Sequence, residues 1–260
     1  MTQILNADKQ GLVFEIISAR ISELPDDKKY VIYTLQVRYI SGTDDLTPSV
    51  IERRYTQFQN LYNSLKKDYP ASLADVLFPK KVLTGNFDNE LISTRSTAFE
   101  TVLKHISSES KLSTSKAMQV FLQEPELSEA NQLCDKKEFA GALEILQNVF
   151  KLLNKVFSDR SHAVLLTLCR IVACCSECPN AEQSLKWADL ALYRFDGVSD
   201  SDLLELYLPL LYACIKIYEA NKKDTERLST QLDNFRRQGM KDIAGRSLLV
   251  AVNELEAKFL

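Results

Sequence analysis

The sequence predicts two structural units, an α+β unit over residues 1–125 and an all-α unit over residues 126–260. Runs rich in β-branched and aromatic residues occur only up to Tyr55. From that residue onward, apolar side chains recur every three or four positions, as they do on one face of a helix. Because the strands precede the helices and do not alternate with them, we expect an antiparallel sheet packed against helices.

Three strand-like runs open the first unit. Two polar, acidic segments at residues 22–29 and 41–48 separate them and are suited to turns. The runs are, in order, LVFEIISARI, YVIYTLQVRYI and SVIERRY. They predict a three-stranded antiparallel meander.

Helical periodicity begins directly after the third strand. One apolar face is formed by Phe58, Leu61, Tyr62 and Leu65, and this first helix ends before Pro70. A loop over residues 71–86 follows, then a second helix from about Asn89 to Ser107 and a shorter third helix from about Ser115 to Leu122. The first domain is predicted to close near Glu124 and Pro125.

The second unit contains a weak internal repeat. A shift of 42 residues superimposes the apolar positions of residues 143–169 on those of residues 185–211, and each copy is a helix pair. Recurring helix pairs predict stacked hairpins of the tetratricopeptide kind, although that repeat is about 34 residues long. The alternative is that two amphipathic pairs with similar loops align by chance.

The charge distribution excludes an extended anionic partner. Residues 1–124 carry 15 basic and 15 acidic side chains, and residues 125–260 carry 17 and 20. Binding to a nucleic-acid backbone draws on several Lys and Arg contacts over a broad surface, so we expect no nucleic-acid partner. An anionic ligand would need a local basic cluster, because attraction between distant charges is screened over about 8 Å at physiological salt.

No segment predicts a membrane span. The longest apolar stretch, from Val164 to Cys175, contains Arg170 and falls well short of the roughly 20 residues that a spanning helix needs. The first ten residues lack the features of a signal peptide, and position 2 is not Gly. We therefore expect a cytoplasmic protein whose contact with membranes is peripheral.

Metal binding and catalysis are not predicted. Six cysteines lie in the second half, mostly at helical spacing that predicts buried free thiols; Cys175 and Cys178 have zinc-ligand spacing but no second pair. His105 and His162, the only histidines, lie in helix-patterned segments, and no nucleotide-binding or zinc-protease motif occurs. We expect no metal, no cofactor and no enzyme activity.

The end of the third strand is the most informative part of the sequence. Two arginines there are followed directly by an aromatic residue and the start of a helix, in the order Arg53-Arg54-Tyr55-Thr56-Gln57-Phe58. A guanidinium offers a planar fork of donors that fits a phosphate. An aromatic ring beside it can lie flat against the apolar face of an inositol ring.

Further basic residues recur downstream, at Lys80 and Lys81 in the loop and at Arg95 in the second helix. Each basic residue has a structural alternative. An arginine pair at a strand end is commonly a solvated edge, a lysine pair belongs to many polar loops, and Arg95 has Glu90 and Glu100 within reach on its own helix.

Taken together, the order of strand, Arg-Arg-Tyr-x-x-Phe, helix, proline-containing loop with lysine and helical arginine resembles the phox-homology (PX) domain of sorting nexins. The resemblance covers about residues 10–123. It implies that Arg54 holds the 3-phosphate of phosphatidylinositol 3-phosphate and that Tyr55 packs against the inositol ring. It also implies that Lys81 meets the 1-phosphate and that Arg95 bonds the 4- and 5-hydroxyls.

The resemblance leaves two ligand positions open. It assigns Arg53 no role of its own, and the loop has only Pro79 where the family often has a PxxP run, so the choice between Lys80 and Lys81 is unsettled. Arg53 and Lys80 are therefore further candidate ligands, and Lys80 would widen the lipid preference. Apolar residues beside the lysines are candidates for membrane insertion, namely Phe78, Val82 and Leu83.

The layout of the whole chain is similar to the sorting nexin 20/21 branch, in which a PX domain precedes a helical PX-associated B domain. This resemblance implies an adaptor on the early endosome membrane that binds phosphoinositides through residues 1–125. Residues 126–260 would recruit protein cargo or effectors. The main alternative is a protein-interaction scaffold whose PX fold does not bind lipid.

Overall fold

A computed structural model of the chain describes residues 11–22, 29–39, 47–178, 183–198, 200–237 and 246–259. The chain forms two compact units, which divide between Glu124 and Pro125. The first ten residues and most of both predicted turns, at positions 23–28 and 41–46, lie outside the described residues.

The three predicted strands form one antiparallel sheet in the order β1 (Leu12–Ile21), β2 (Val31–Tyr39) and β3 (Ser49–Arg54). The predicted meander is therefore confirmed. Burial alternates along β3, because successive side chains of a strand point to opposite faces of the sheet. As a result Arg53 is fully buried, whereas its neighbour Arg54 is exposed.

Three helices follow the sheet in the first unit, namely α1 (Tyr55–Asp68), α2 (Asn89–Ser108) and the short α3 (Ser110–Ser113). The apolar face predicted for α1 is buried. Asp88 caps the N-terminus of helix α2, because its Oδ1 accepts hydrogen bonds from the backbone N–H groups of Glu90 and Leu91 at 2.8 and 3.4 Å. The first two helices match the sequence prediction to within about one residue.

Aromatic side chains fill the core between the sheet and these helices. The rings of Phe58 and Phe99 stack with centroids 4.0 Å apart, and Tyr33 of β2 meets Phe99 edge to face at 5.0 Å. Edge-to-face and offset contacts are the favoured arrangements of aromatic pairs. This aromatic core joins β2, α1 and α2, the elements that also carry the candidate site.

Helix α4 (Lys116–Asp135) continues through Pro125, so the prediction that it ends near Leu122 is wrong. Proline has no N–H group, which leaves the Phe121 carbonyl, four residues earlier, without its intrahelical donor. The Nε of Arg53 donates to this carbonyl at 2.6 Å, and its guanidinium lies 5.6 Å from the centroid of the Phe121 ring. The carbonyl that Pro125 leaves without a donor is therefore hydrogen-bonded by a side chain of β3.

The second unit is helical throughout the part that the structure describes. Its elements after α4 are α5 (Phe139–Val156), α6 (His162–Glu177), α7 (Ser184–Phe195), α8 (Ser201–Leu204), α9 (Tyr207–Ala220), α10 (Glu226–Arg237) and α11 (Leu248–Phe259). Helix α6 is at the centre, since it packs against α5, α7, α9 and α11, and nearly all of its side chains are buried.

The 42-residue shift relates the pair α5 and α6 to the pair α7 and α9. The apolar positions of α6 and their counterparts in or beside α9 are buried, with partial exposure only at Tyr207. The buried positions are Val164, Leu165, Leu168 and Cys169 in the first copy and Leu206, Leu210 and Leu211 in the second. The second helix of each pair thus buries the face that the sequence pattern indicates, whereas in α7 Leu185 and Leu192 remain partly exposed.

One buried ion pair joins α6 to α11. The Nη2 of Arg170 donates to Glu256 Oε2 at 2.6 Å and to Asn253 Oδ1 at 3.0 Å, while Nη1 lies 3.4 Å from Glu256 Oε1. The Arg170 side chain is only 1% exposed. Two hydrogen-bonded acceptors compensate for the loss of water around this buried charge.

The six cysteines are free thiols, and all except the half-buried Cys178 are buried. The Sγ atoms of Cys134 and Cys174 lie 3.6 Å apart. Burial raises the pKa of Cys175 to about 12, and it also raises the pKa values of Cys169 and Cys214. These buried thiols therefore remain protonated at neutral pH.

Candidate functional site

A cavity of about 240 Å³ opens where β3 meets α1. The four principal residues that the sequence analysis singled out all line it, although they come from the end of β3, the start of α1, the loop and α2. The full lining consists of Lys29, Tyr30, Val31, Arg54, Tyr55, Thr56, Lys81, Asn86, Phe87 and Arg95. Folding therefore brings together residues that are up to 66 positions apart in the chain.

Arg54 lies at the rim of this cavity, and contacts of both its side chain and its backbone position it. Its guanidinium lies 4.7 Å from the centroid of the Tyr30 ring, at the beginning of β2. Its backbone N–H donates to Gln57 Oε1 at 2.7 Å, which fixes the sharp passage from β3 into α1. A cation over an aromatic face keeps the donors at the edge of the guanidinium directed outward, where they can meet an anion.

Arg53 lies outside the cavity. Besides its bond to Phe121, its Nη1 donates to the Glu52 carbonyl at 2.7 Å, and the whole side chain is buried. These contacts correct the alternative in which Arg53 is a ligand residue, because its guanidinium faces the protein interior. Because successive side chains of β3 point to opposite faces of the sheet, Arg53 is buried and structural whereas the adjacent Arg54 is accessible.

Tyr55 forms one wall of the cavity and belongs to the aromatic core as well. Its hydroxyl donates to the Pro79 carbonyl at 2.8 Å, and the guanidinium of Arg95 lies 4.4 Å from its ring centroid. Burial raises the pKa of Tyr55, and the positive charge of Arg95 opposes this effect. The phenol therefore stays protonated at neutral pH and keeps its bond to the loop.

Arg95 is 2% exposed, yet its guanidinium borders the cavity. Its Nη1 donates to Asn86 Oδ1 at 3.1 Å, its Nη2 lies 3.5 Å from the Lys80 carbonyl, and its Nε is buried with no hydrogen-bond partner. Glu100, a predicted alternative partner, instead accepts a hydrogen bond from the backbone N–H of Ile16 at 2.7 Å. A polar ligand in the cavity would supply further acceptors for this buried guanidinium.

The loop presents its two lysines differently. Lys81 lines the cavity, whereas Lys80 does not and contributes only its backbone carbonyl to Arg95. This placement favours Lys81 over Lys80 as the loop ligand. The predicted departure from the PxxP pattern therefore still leaves a lysine at the cavity.

The apolar loop residues also differ from one another. Phe78 packs against Tyr62 and Phe99, with ring centroids 4.9 and 5.8 Å away, so the structure contradicts its predicted insertion into a membrane. Val82 is half-buried, and Leu83 is 99% exposed. Leu77, which the sequence analysis did not select, is 88% exposed.

The cavity is electropositive. Four cations line it, and among the lining residues that the structure describes there is no Asp or Glu. Sequence analysis missed Lys29, Tyr30, Asn86 and Phe87, because they belong to no motif and reach the site only through the pairing of β2 with β3 and the fold of the loop. In the part of the chain that the structure describes, no helix has the length and apolarity of a membrane span.

Comparisons with known proteins agree with this architecture. A family model described as PX domain matches residues 41–125. The PX domain of mouse SNX19 is 22% identical, with a TM-score of 0.35, and the match covers 42% of this chain and 96% of that one. The first unit is thus a PX domain with a three-stranded antiparallel sheet and helices.

Relatives extend the match across both units. Sorting nexin-20 of Rattus norvegicus is 33% identical over 222 residues, covering 85% of this chain and 69% of the relative. Sorting nexin-21 of Homo sapiens is 30% identical over 232 residues, covering 89% of this chain and 61% of the relative. These matches confirm the predicted resemblance, and the chain belongs to the sorting nexin family.

Proposed function

We propose that this chain is a peripheral membrane adaptor whose PX domain binds the head group of phosphatidylinositol 3-phosphate in the cavity. Arg54 would hold the 3-phosphate and Tyr55 would pack against the inositol ring. Lys81 would meet the 1-phosphate, and Arg95 would bond the 4- and 5-hydroxyls. The observation that carries the proposal is that these four residues, all basic or aromatic, line one cavity.

The electrostatics support this binding mode. A phosphomonoester carries a charge of about −1.5 to −2 at neutral pH, and charge-assisted hydrogen bonds to it are about twice as strong as neutral ones. Cations paired with carboxylates would be poorly available for such contacts. No Asp or Glu occurs among the described residues of the lining, which favours an external anion as the partner of these cations.

Contact with the bilayer would come from the loop. Leu83 and Leu77 expose nearly their whole side chains, and Lys80 beside them is also exposed. An exposed apolar residue among lysines suits the interface, where the aliphatic group enters the acyl region and the lysines meet anionic head groups. We include Leu83, Leu77 and the half-buried Val82 in this membrane contact, and we leave out Phe78.

The second unit would recruit protein cargo or effectors, and it would correspond to the PX-associated B domain of the branch that the sequence resembles. The repeated helix pairs, α5 with α6 and α7 with α9, support a tetratricopeptide-like arrangement, since such pairs stack to present extended binding surfaces. Enzymatic chemistry has no part in this proposal. The lipid proposed for the PX domain would place the adaptor on early endosomes.

Binding to vesicles tests the proposal. Wild-type protein and an Arg54→Ala variant are compared on vesicles with a constant phosphatidylserine content and one phosphoinositide each, at physiological salt. We expect Arg54→Ala to weaken binding to phosphatidylinositol 3-phosphate about 10- to 150-fold, because a hydrogen bond to a charged group contributes about 1.5–3 kcal/mol.

A matched control is Arg38→Ala, which removes another partly exposed arginine of the same domain that does not line the cavity. Circular dichroism of each variant reports whether the fold is intact. If wild type and Arg54→Ala bind equally, or if wild type binds no phosphoinositide, the head-group proposal fails. The chain would then be better described as a protein-interaction scaffold with a PX fold.

A further inference from the structure

Two thiols of the helical unit touch one another, far from the PX cavity in the sequence. The Sγ atoms of Cys134 in α4 and Cys174 in α6 lie 3.6 Å apart, and both side chains are buried. The two residues are 40 positions apart in the chain, so the packing of the helices creates this contact. The sulfurs of a disulfide are about 2.0 Å apart, so an approach of about 1.5 Å would convert the contact into a bond.

The surroundings of the two thiols are unequal. The hydrogen bond with Cys174 lowers the pKa of Cys134, and the charge of Arg170, one turn before Cys174 on α6, acts in the same direction, while burial opposes both. The same hydrogen bond and burial raise the pKa of Cys174. The thiolate is the form of cysteine that attacks an oxidant. Cys134 is therefore suited to react first.

Access to the pair also favours Cys134. Its side chain keeps an exposed fraction of 7%, whereas Cys174 has none. An oxidant no larger than a few water molecules can reach a sulfur at that edge, and the buried sulfur of Cys174 is already in contact with it. The arrangement is that of an attacking cysteine with a second cysteine beside it, which is the pattern of reversible thiol oxidation.

A bond at this position would fasten α4 to the central helix of the unit. The buried side chains in the last part of α4 are Leu127, Ala130 and Cys134, at the spacing of one side of a helix. Two of these three side chains are small, so this part of α4 buries little apolar area. Helix α6 is packed by several neighbours. A disulfide between the two helices would add a covalent tie where the apolar packing of α4 is narrow.

We propose that Cys134 and Cys174 form a reversible redox pair, in which hydrogen peroxide oxidises the two thiols to a disulfide between α4 and α6. The Cys134 thiolate attacks one oxygen of the peroxide, the O–O bond breaks, and hydroxide leaves. Cys174 then attacks the sulfur of the Cys134 sulfenic acid, the S–S bond forms, and the S–O bond breaks. The thiol protons convert the released hydroxides to two waters, and a dithiol reductant restores both thiols by exchange.

The test treats the full wild-type chain with hydrogen peroxide under native conditions and then blocks the remaining thiols with a maleimide in denaturant. We expect intact-mass spectrometry to show four labelled thiols of the six, and six again after reduction with dithiothreitol. Digestion without reduction should yield a peptide pair that links Cys134 to Cys174. In a Cys174→Ala variant the intermediate has no partner, so a 1,3-diketone should label the sulfenic acid at Cys134.

Cys178→Ala is the matched control, because it removes the half-buried cysteine of the same region, one turn after Cys174, and leaves the contact intact. It should form the linked peptide as wild type does. The inference is overturned if peroxide links Cys178 to either residue, or if wild type yields no link between Cys134 and Cys174. An equal yield of that link in urea would also overturn it, because the fold would then not direct the reaction.

The melting temperature shows whether the bond fits the native fold. Oxidation should raise it by about 5–15 °C in wild type, because closing a loop of this length restricts the unfolded chain. Cys134→Ala forms no such bond, so the same treatment should leave its melting temperature unchanged. Formation of the link together with a fall in the wild-type melting temperature would show that the bond distorts the fold, and it would overturn the redox pair. Circular dichroism before oxidation reports whether each variant is folded, and the wild-type linkage alone decides the proposal if a variant is not.

Discussion

Two arginine-bearing regions of this molecule hold their charge in opposite ways. In the helical unit, Arg170 is almost fully buried and its guanidinium is bonded to Glu256 and Asn253. At the cavity of the PX domain, Arg54 is exposed beside an aromatic ring, and the lining residues within the described ranges include no carboxylate. Arg170 has an acidic partner within the protein, whereas in the described part of the chain no ion pair is seen for Arg54.

The difference shows what separates a structural cation from one that is ready for a ligand. Burial of an unpaired charge is costly, so a buried arginine is found with acceptors already in place. A cation at the rim of a concave site can remain unpaired at little cost, because water solvates it until an anion arrives. The presence or absence of carboxylates is therefore more informative than the number of positive charges.

The largest effect is expected from breaking the matched pair. Arg170→Ala removes the hydrogen bonds to Glu256 and Asn253 and leaves Glu256 without its cation, so the free energy of unfolding should fall by about 3–5 kcal/mol. Urea denaturation followed by the fluorescence of Trp187, the only tryptophan and part of the helical unit, measures this change. Vesicle binding by the folded variant should be unchanged.

The control for this variant is Lys216→Ala, which removes an ion pair with Glu177 on the same unit. Both side chains of that pair are about half exposed. Exposed pairs typically contribute less than about 1 kcal/mol, so the unfolding transition should barely move. Similar losses in the two variants would show that burial does not decide the contribution of the pair.

A second prediction concerns the buried neighbour of Arg54. Arg53→Met removes the donor to the Phe121 carbonyl and should lower the free energy of unfolding by about 2 kcal/mol. Pro125→Ala supplies a backbone N–H that can bond to the same carbonyl. In the Pro125→Ala background, the loss caused by Arg53→Met should therefore be smaller by about 1 kcal/mol. Thermal denaturation of wild type, the two single variants and the double variant, followed by circular dichroism, measures this coupling energy. Strictly additive effects would refute the idea that the new backbone N–H at position 125 replaces the Arg53 donor.

The third prediction separates the membrane contact from the cavity. Leu83→Ser should weaken binding to phosphoinositide vesicles about tenfold, because the variant loses an apolar side chain that would enter the bilayer. Calorimetry with a soluble head group should give an unchanged affinity. Val50→Ser serves as control, since Val50 is 48% exposed on β3 but does not line the cavity. An equal loss with the soluble head group would instead place Leu83 in the head-group site.

The smallest effect is expected at the ring that supports Arg54. Tyr30→Leu removes the aromatic face from the guanidinium and should weaken head-group binding about threefold, the size of an exposed cation–π contact. Tyr30→Phe keeps the ring and should bind as wild type does. A loss of the same size in both variants, measured by calorimetry, would mean that the hydroxyl and not the ring matters.

The sequence predicted the parts of the site that depend on local order. Arg54 and Tyr55 follow one another at a strand end, and Lys81 and Arg95 lie in a loop and a helix whose periodicities are clear. Tyr30 and Lys29 were missed, because their place beside Arg54 depends on the register between β2 and β3. No pattern within a polar turn segment encodes that register.

Two further misses have the same origin in distant contacts. Helix α4 passes Pro125 because Arg53, 68 positions before Phe121, supplies the donor that the helix lacks. Phe78 was assigned to the membrane because it lies in a loop, yet Tyr62 and Phe99 hold it in the aromatic core. Local sequence preference predicts structure poorly where a residue distant in the chain supplies a contact that the local segment lacks.

Tyr55 belongs to both the cavity and the aromatic core, and this has a consequence for the stability of the domain. Its ring lines the cavity and also packs 6.0 Å from Phe99 and 5.7 Å from Phe78, measured between centroids. A ligand that requires this arrangement binds only the folded domain, so it raises the free energy of unfolding by about 2.7 kcal/mol at 100 times its Kd. A lipid bound there would stabilise the folded domain. The domain would be most resistant to unfolding and proteolysis while it occupies its membrane, and release from the lipid would expose it to turnover.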